Sequence, residues 1–362
     1  MKLVIYAGGT GRRLWPISRQ SSPKQFEPII EGKSTVQLTL DRLQKGFNIE
    51  DIFVSTNDRY IAILKEQIPH LPEENFFNEP ARRDLAAAVG LSVIHLAHRY
   101  YLSDRIGIVW GDNYMTKGDA FLGLLTAADG IIVSNQANMV FIGETPRFAN
   151  NNLGWIGIGE EKGKESGQSY YSYESWVYRP DLDLCHEMYI SGKYVWNTGY
   201  FVTTIGFVVD LYRRYQPELW ADLEEIGSVI GSSAYDETLA KIYPKLPAVS
   251  FDDAIVKKIE LEEAVILHGD TGWSDPGTLY ALKESINPDP DINVERGLVR
   301  AHKSIDCLLY NYEPEKLLAV VGLEGMVVVN TEDAILVVHK DQIGSVKKLV
   351  DELMGSDLEK YT

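Results

Sequence analysis

The chain has 362 residues, of which 45% are hydrophobic and 24% are charged, close to the averages of soluble globular proteins. Its formal net charge of −17 argues against a general nucleic-acid or anionic-membrane surface, because both need a basic face. The two cysteines, Cys185 and Cys307, lie far apart and outside any CxxC or Cys/His cluster, so neither a disulfide framework nor a structural zinc site is expected.

The apolar segments of the chain indicate its cellular location. The first nine residues, MKLVIYAGG, lack the longer apolar core and the cleavage site of a signal peptide. No segment approaches the ~18 apolar residues of a membrane span. We therefore expect a cytoplasmic protein with no membrane partner and no nucleic-acid partner.

In the first half of the chain, short apolar runs alternate with helix-like stretches. The apolar runs, which indicate buried strands, are residues 3–7, 52–55, 106–110 and 139–143. The helix-like stretches are residues 34–44, 59–68, 84–100 and 120–133. This alternation predicts an α/β fold with a Rossmann-like, mainly parallel sheet covered on both faces. Ligands of such sheets bind in the loops at the carboxyl ends of the strands.

The remaining chain predicts a second, smaller domain. Residues 150–209 are rich in Gly, Tyr and Trp and predict strands and loops over the open end of the sheet. Residues 287–291, NPDPD, are typical of a linker. Closely spaced strand-like runs and a final helix follow at residues 307–310, 317–321, 326–329, 335–338 and 343–353. We therefore predict an α/β domain at residues 1–285 and a small β-rich, β-helix-like domain at residues 286–362.

Positive charge is concentrated near the N-terminus. From Met1 to Phe26 there is no Asp or Glu. The cations of this segment are Lys2, Arg12, Arg13, Arg19 and Lys24. A concentrated positive patch in an acidic protein indicates a small, highly charged anion as ligand, the alternative being a chance fluctuation on a solvated loop.

Three glycines, Gly8, Gly9 and Gly11, directly follow the first predicted strand. Glycines at this place let backbone N–H groups approach phosphate oxygens. The Walker A motif is excluded because its Gly-Lys-Ser/Thr ending is absent, and the Rossmann pattern GxGxxG fails because Leu14 stands at its third glycine.

The whole segment of residues 7–28, AGGTGRRLWPISRQSSPKQFEP, resembles the signature of the sugar nucleotidyltransferases. Its elements LWP and PKQF resemble those of the mannose-1-phosphate guanylyltransferases in that family. The resemblance implies transfer of GMP from GTP to mannose 1-phosphate, giving GDP-mannose and pyrophosphate.

The same resemblance implies roles for residues of this loop. The nucleotide would be held by Gly8, Gly9, Thr10 and Gly11. Arg13 would neutralise the departing pyrophosphate, and Lys24 would reach the phosphates in the transition state. Arg12 occupies a variable position of the family, so we expect it to be solvated.

A second element, NEPARRD at residues 78–84, resembles the family's Glu-Pro-x-x-Arg element beside the base. Guanine offers N1–H and N2–H₂ on one edge, and a carboxylate can accept both, so either Glu79 or Asp84 could bind it. Arg83 belongs to the same expected nucleotide site. Asp84, which replaces the usual Asn, could instead cap the following helix.

Two aspartates correspond to the metal ligands of the family. Asp112 follows the apolar run that ends at Trp110, and Asp275 lies in TGWSDPG. Mg²⁺ prefers oxygen ligands and commonly uses one or two carboxylates together with substrate phosphates. The resemblance therefore implies one Mg²⁺ on Asp112 and Asp275, with Asp112 also a catalytic residue, although a single Asp in a turn is usually structural.

The sugar phosphate has its own expected residues. Gly154, Asn197 and Asp252 each lie in an element that resembles a sugar-binding element of the family, and Asp252 is explained equally well as a helix cap. Where the family has Phe-Val-Glu-Lys-Pro, residues 176–180 are WVYRP. Arg179 keeps a cation for the sugar phosphate, whereas Tyr178 removes a carboxylate, so the identity of the sugar stays open.

Three alternatives to this function remain. The same reaction could use another sugar 1-phosphate or another NTP, or the chain could be a non-catalytic sugar-nucleotide-binding protein on the same fold. A dinucleotide-dependent oxidoreductase is disfavoured by the missing third glycine. The expected partners are GTP and a sugar 1-phosphate, and a β domain of this kind could pair subunits into a homodimer.

Overall fold

The computed structural model describes residues 1–9, 14–19, 22–30 and 32–362. The chain forms two compact units. The first comprises Met1–Gly8, Leu40–Gly111 and Met115–Trp273, and the second comprises Gly9–Thr39, Asp112–Tyr114 and Ser274–Thr362. The proposed domain boundary at residue 285 stays a prediction.

The strands up to residue 274 include those of the large sheet and two short strands, β5 and β11, where the chain passes from one unit to the other. They are β1 (Lys2–Tyr6), β2 (Ile52–Asn57), β3 (Phe76–Glu79), β4 (Arg105–Trp110), β5 (Tyr114–Met115), β6 (Met139–Glu144), β7 (Gly154–Glu165), β8 (Gln168–Tyr178), β9 (Tyr194–Thr204), β10 (Ala264–Gly269) and β11 (Trp273–Ser274).

The large sheet of the first unit has the order β3-β2-β1-β4-β9-β6-β10-β8-β7, and β9 also pairs with β7. The pairings of β1 with β2 and β4, of β2 with β3, and of β6 with β10 are parallel. β9 is antiparallel to β4, β6 and β7, and β8 is antiparallel to β10 and β7. All of these strands except β8 and β9 therefore run in one direction, which confirms the mainly parallel sheet.

The helices complete the architecture. They are α1 (Thr35–Leu43), α2 (Ile61–Gln67), α3 (Asp84–Arg99), α4 (Gly118–Val133), α5 (Leu182–Ser191), α6 (Ile205–Tyr215), α7 (Pro217–Gly227), α8 (Tyr235–Ile242), α9 (Phe251–Ala254), α10 (Leu279–Ile286) and α11 (Ser345–Leu353). Within the described ranges, no helix has the length and apolar character needed to cross a membrane.

The core of the first unit explains why its strands are continuously apolar. Every residue of β6 is buried. Because successive side chains of a strand point to opposite faces, both faces of the sheet are covered at this strand. Apolar side chains of α3, α6 and α7 pack with those of the sheet in one cluster.

The second unit contains a small β domain. Its strands are β12 (Val294–Arg296), β13 (Val299–His302), β14 (Leu308–Asn311), β15 (Leu318–Val321), β16 (Met326–Asn330) and β17 (Ile335–His339). The sheet β12-β14-β16 is parallel, β17 joins it antiparallel, and β13 pairs in parallel with β15. Parallel pairing of every second strand stacks the chain into β-helix-like turns, as predicted.

A buried ion pair joins α10 to this β domain. Lys283 is fully buried, and its Nζ lies 2.7 Å from Asp306 Oδ1. The other Asp306 oxygen accepts hydrogen bonds from Tyr280 at 2.7 Å and from Lys340 at 2.8 Å. Because α10 begins shortly after Asp275, these contacts hold the chain that leaves the Asp275 turn.

Candidate active site

Lys24 brings two distant aspartates together within the second unit. It begins a short 3₁₀ turn, Lys24–Phe26, and its side chain is almost fully buried. Lys24 Nζ lies 2.9 Å from Asp112 Oδ2 and 3.1 Å from Asp275 Oδ1. One ammonium therefore bridges the two carboxylates that the sequence predicts as metal ligands.

This arrangement decides the protonation of Lys24. Burial by itself would lower the pKa of the Lys24 ammonium, but the charges of Asp112 and Asp275 and their hydrogen bonds outweigh burial and hold that pKa well above its ordinary value. Lys24 therefore stays a cation over the whole physiological pH range. A permanent positive charge is the property that a phosphate-binding group needs.

The donor set at this point fits Mg²⁺. Asp112 and Asp275 present carboxylate oxygens, the ligands that Mg²⁺ prefers, and about one third of each side chain is exposed. No group of three or more His, Cys, Asp or Glu that could hold a metal occurs in the part of the chain that the structure describes. A Mg²⁺ at this pair would thus have two protein ligands and would leave its other positions to phosphate oxygens and water.

The glycine-rich loop leaves β1 at the carboxyl edge of the sheet. Gly8 and Gly9 are exposed, and the Gly9 carbonyl accepts a hydrogen bond from Gln25 Nε2 at 2.7 Å. This bond ties the start of the loop to the residue that follows Lys24. The predicted nucleotide contacts of Thr10 and Gly11 and the predicted role of Arg13 lie outside the described residues, as does Arg12.

Glu79 lies behind Gly8 in the first unit. A Cβ atom at Gly8 would be 3.6 Å from Glu79 Oε1, so the two residues are close. Glu79 Oε1 accepts a hydrogen bond from Ser55 at 3.3 Å, and Oε2 accepts one from Tyr243 at 2.9 Å. Burial, only partly offset by these bonds, raises the pKa of the Glu79 carboxyl to about 7.

Asp84 presents the other candidate carboxylate for the base. It is the first residue of α3, it is exposed, and its φ of 63° is unusual for a residue other than glycine. Asp84 Oδ1 accepts the backbone N–H of Leu85 at 2.8 Å. Arg83 precedes it with its Nε buried and not hydrogen-bonded to any group among the described residues. One Asp84 oxygen thus serves the first turn of the helix.

Tyr178, Gly154 and Asn197 form a row across neighbouring strands of the first unit. Gly154 on β7 pairs with Tyr178 on β8. On the other side of Gly154, a Cβ atom would lie 3.2 Å from Asn197 Cβ on β9. The lack of a side chain at Gly154 therefore lets Asn197 approach it closely. Asn197 Oδ1 accepts the backbone N–H of Gly199 at 2.9 Å.

Aromatic and cationic groups surround Tyr178. Its side chain is 55% exposed, and its ring is stacked on that of Trp176 with centroids 5.6 Å apart and planes within 1° of parallel. The Arg179 guanidinium lies 5.1 Å from the Tyr178 ring centroid. Arg179 Nε also donates to the Asn152 carbonyl at 3.2 Å, which holds the cation beside the Gly154 loop.

Asp252 does not cap its helix. The cap of α9 is Ser250, whose Oγ accepts the backbone N–H of Asp253 at 3.1 Å. Burial, with a smaller contribution from the neighbouring charge of Asp253, raises the pKa of the Asp252 carboxyl to about 6. Asp84 also contributes to this shift, so Asp84 and Asp252 lie within electrostatic reach of each other.

Comparison with known proteins decides the family. Residues 2–290 match the profile of the nucleotidyl transferase family. The chain belongs to this family. Residues 303–353 match the profile of the MannoseP isomerase/GMP-like β-helix domain. The two matched segments agree with an α/β nucleotidyltransferase part followed by β-helix-like turns.

Individual relatives of this nucleotidyltransferase cover nearly its whole length. Mannose-1-phosphate guanylyltransferase RfbM of Salmonella typhimurium is 30% identical over 99% of this chain and 73% of its own. Mannose-1-phosphate guanylyltransferase of Klebsiella pneumoniae is 29% identical over 99% of this chain and 75% of its own. A solved structure from Thermus thermophilus, described as a mannose-1-phosphate geranyltransferase, has a TM-score of 0.84 at 28% identity and covers 97% of this chain and 98% of its own.

The motifs did not indicate a group of contacts centred on Glu144. These contacts involve the backbone of Trp273, two residues before Asp275. Glu144 at the end of β6 is fully buried and binds Arg147 Nη1 at 2.9 Å. Arg147 Nη2 donates to the Trp273 carbonyl at 2.8 Å, and its guanidinium lies 5.1 Å from the Trp196 ring centroid. A carboxylate at the carboxyl end of a buried parallel strand is the sequence signal that could have indicated Glu144.

Proposed function

We propose that this nucleotidyltransferase transfers GMP from GTP to mannose 1-phosphate and releases pyrophosphate, with GDP-mannose as the product. The group-transfer chemistry is supported by the cluster of Lys24, Asp112 and Asp275, which provides a cation and two oxygen ligands at one point. The choice of substrates is supported by the names of relatives that match 99% of the chain.

The reaction needs alignment and charge neutralisation more than acid–base catalysis. A phosphate oxygen of the sugar 1-phosphate attacks the α-phosphorus of GTP in line, and the bond from that phosphorus to the α–β bridging oxygen breaks, so that this oxygen leaves on pyrophosphate. The nucleophile is already an anion at neutral pH, so no protein group has to remove its proton. The enzyme has to hold two polyanions in register and stabilise the charge that moves to the bridging oxygen.

Three parts of the chain would supply this stabilisation. The backbone N–H groups of Gly8 and Gly9 would bind phosphate oxygens, together with Thr10 and Gly11. Lys24 would place its ammonium on the phosphate charge, and Arg13 would bind the leaving pyrophosphate. Asp112 and Asp275 would hold Mg²⁺, which when bound acts as a Lewis acid on phosphate oxygens.

The base and the sugar would be bound by residues of the first unit. Asp84 is the better candidate for the guanine edge, because it is exposed whereas both oxygens of Glu79 accept hydrogen bonds from protein groups. Glu79 would then pack beside Gly8 without binding the base, and Arg83 would stay near the base. Asn197 and Gly154 would contact sugar hydroxyls.

Arg179 and Asp252 complete the proposed sugar-phosphate site, in which Tyr178 forms a wall. The Arg179 guanidinium would bind the phosphate of the sugar with the planar geometry that arginine offers.

A cytoplasmic location, where GTP is abundant, and a homodimer formed through the β domain are parts of the same proposal.

The deciding experiment is pyrophosphate release from a panel of NTPs and hexose 1-phosphates, with the sugar nucleotide identified by mass spectrometry. We expect GTP with mannose 1-phosphate to give GDP-mannose with the highest kcat/KM of the panel. Higher turnover with UTP, ATP or dTTP would contradict the nucleotide assignment. Binding of GDP-mannose with no pyrophosphate release from any pair would identify a sugar-nucleotide-binding protein instead.

A further inference from the structure

Lys24 contacts both of the aspartates that would hold a divalent cation. Its ammonium lies within hydrogen-bond distance of one oxygen of Asp112 and one oxygen of Asp275, at 2.9 Å and 3.1 Å. A Mg²⁺ ion binds carboxylate oxygens at ~2.0–2.1 Å, so a cation shared by both side chains has to lie between them. The ammonium and the metal ion would therefore compete for the same pair of carboxylates.

The Lys24 ammonium and a divalent cation bound to the same two carboxylates would also repel each other. The Lys24 side chain is only 8% exposed, so little water screens it from a neighbouring charge. Lysine carries its charge on a flexible four-carbon stem and can move that charge without moving the backbone. The backbone at this point is held, since Gln25 binds the Gly9 carbonyl and Phe26 is buried.

We propose that Lys24 and a divalent cation exchange on this carboxylate pair: a cation that binds Asp112 and Asp275 displaces the Lys24 ammonium and so releases it for the substrate phosphates. The inference rests on the Mg²⁺ site of the proposed function and adds a second role for Lys24. Before the exchange, Lys24 offsets one of the two negative charges on Asp112 and Asp275, which reduces their repulsion of each other and of the incoming nucleotide. After the exchange, the same charge faces the phosphates.

This exchange has a consequence for the order of binding. A divalent cation alone has to break two charge-assisted hydrogen bonds of Lys24, so its affinity for the free enzyme is lowered. A cation that arrives with phosphate gives the released ammonium a new anionic partner. Metal and nucleotide therefore favour each other's binding, as linkage requires.

The first test measures Mn²⁺ binding by electron paramagnetic resonance in the absence of nucleotide and sugar. Lys24→Met removes the competing ammonium, and we expect it to bind Mn²⁺ roughly five- to tenfold more tightly than the wild type, in the range usual for coupled ligands. Lys45→Met is the matched control, because it changes the net charge equally at a side chain that is 65% exposed. Its Mn²⁺ affinity should equal that of the wild type.

Equal or weaker Mn²⁺ binding by Lys24→Met overturns the proposal, as does the absence of Mn²⁺ binding in both proteins. A second measurement uses the wild type and so does not depend on the folding of the variant. Acetylation of Lys24 by acetic anhydride, followed by peptide mass spectrometry, should rise severalfold in saturating Mn²⁺, whereas that of Lys45 should not change. Unchanged Lys24 labelling overturns the exchange. Neither measurement involves GTP or mannose 1-phosphate, so a wrong substrate assignment would leave both results intact.

Discussion

Glu144 accepts two hydrogen bonds from Thr271, one from its backbone N–H at 3.0 Å and one from its hydroxyl at 2.6 Å. The same carboxylate accepts the backbone N–H of Trp273 at 3.3 Å. One fully buried side chain at the end of β6 thus fixes the backbone of residues 271–273. This segment directly precedes Ser274 and Asp275, so Glu144 is suited to position the proposed metal ligand.

Glu144→Gln should destabilise the protein and weaken its response to Mg²⁺. The amide NH₂ of glutamine would face a group that already donates, which leaves buried donors unsatisfied at a cost of about 1–3 kcal/mol. Urea unfolding measures that loss, and the Mg²⁺ dependence of kcat measures the displacement of Asp275. Glu161→Gln, at an exposed position of β7, is the control. An unchanged Mg²⁺ dependence would show that Asp275 is positioned without Glu144.

Asp112→Asn should lower kcat on the order of 10²-fold or more, because neutralisation by a Lewis acid is worth several kcal/mol in the transition state. Asp275→Asn should act in the same direction. Asp119→Asn is the control, since this side chain is 92% exposed and pairs only loosely with Lys45 at 4.0 Å. Steady-state rates with and without EDTA check the assignment, and activity that survives chelation unchanged would contradict it.

Arg13→Ala should lower kcat more than it raises KM, if Arg13 acts chiefly on the charge of the departing pyrophosphate. Arg12→Ala, which removes the same charge from the neighbouring position, should have a much smaller effect. Initial-rate kinetics with varied GTP separates the two parameters. Equal losses at Arg12 and Arg13 would show that the loop acts as a diffuse positive field.

The sequence predicted those parts of the fold that have a strong local signal. The apolar run at residues 106–110 became β4, and the helix expected at residues 84–100 became α3, because the first is continuously apolar and the second is mainly apolar over the buried stretch from Ala86 to Leu96. The long strand β7 was less visible, since its second half, EEKGKE, is charged and partly exposed. β13 alternates Val299 and Ala301, which contact one cluster, with the exposed Arg300 and His302, but at four residues this alternation is too short to distinguish a strand.

The candidate site was predictable only where a motif marks it. The resemblance indicated Lys24, Asp112 and Asp275, but nothing in their spacing shows that one ammonium would bridge the two carboxylates. Glu144 had no motif, because its partners lie far along the chain and are mainly backbone groups. The sequence alone did not decide whether Asp252 caps α9. Ser250, two residues earlier, takes the N-cap position.

The carboxyl of Glu79 should make stability depend on pH. Its pKa in the folded protein is about 7, above the ordinary value of 4.5. Between these two values the folded state binds more protons than the unfolded state, so stability falls as pH rises, and the loss is complete at about pH 8, one unit above the folded pKa. The difference of pKa corresponds to a contribution on the order of 3 kcal/mol.

Glu79→Gln should therefore flatten the pH dependence of stability between about pH 5 and pH 8. The variant should fold, because the Ser55 and Tyr243 hydroxyls can each donate to or accept from an amide. Urea unfolding at three pH values for both proteins gives the two profiles. Parallel profiles would mean that Glu79 is ionised at its ordinary pKa and that another group is responsible for the slope.

We expect Tyr178 to distinguish this chain's sugar selectivity from that of its family. The resemblance implies a carboxylate at this position in the family, which would bind sugar hydroxyls, whereas this chain presents an exposed ring stacked on Trp176. A site built to hydrogen-bond a hydroxyl rejects analogues sharply, but an apolar wall discriminates by only ~1–3 kcal/mol. A sugar site that includes Tyr178, Gly154 and Asn197 is therefore expected to accept more than one hexose.

We expect the wild type to use mannose 1-phosphate with a relaxed preference over glucose and fucose 1-phosphates, and Tyr178→Glu to sharpen the preference for mannose. The added carboxylate would lie opposite Asn197 across Gly154, where it could accept hydrogen bonds from sugar hydroxyls. Tyr178→Phe keeps the ring and should leave selectivity unchanged, whereas Arg179→Ala should weaken all three sugars alike because it removes the phosphate contact that they share. The measurement is kcat/KM for each sugar with GTP in the four proteins. A wild type that is already strongly selective for mannose, and that loses this selectivity in Tyr178→Glu, would show that other residues recognise the hydroxyls.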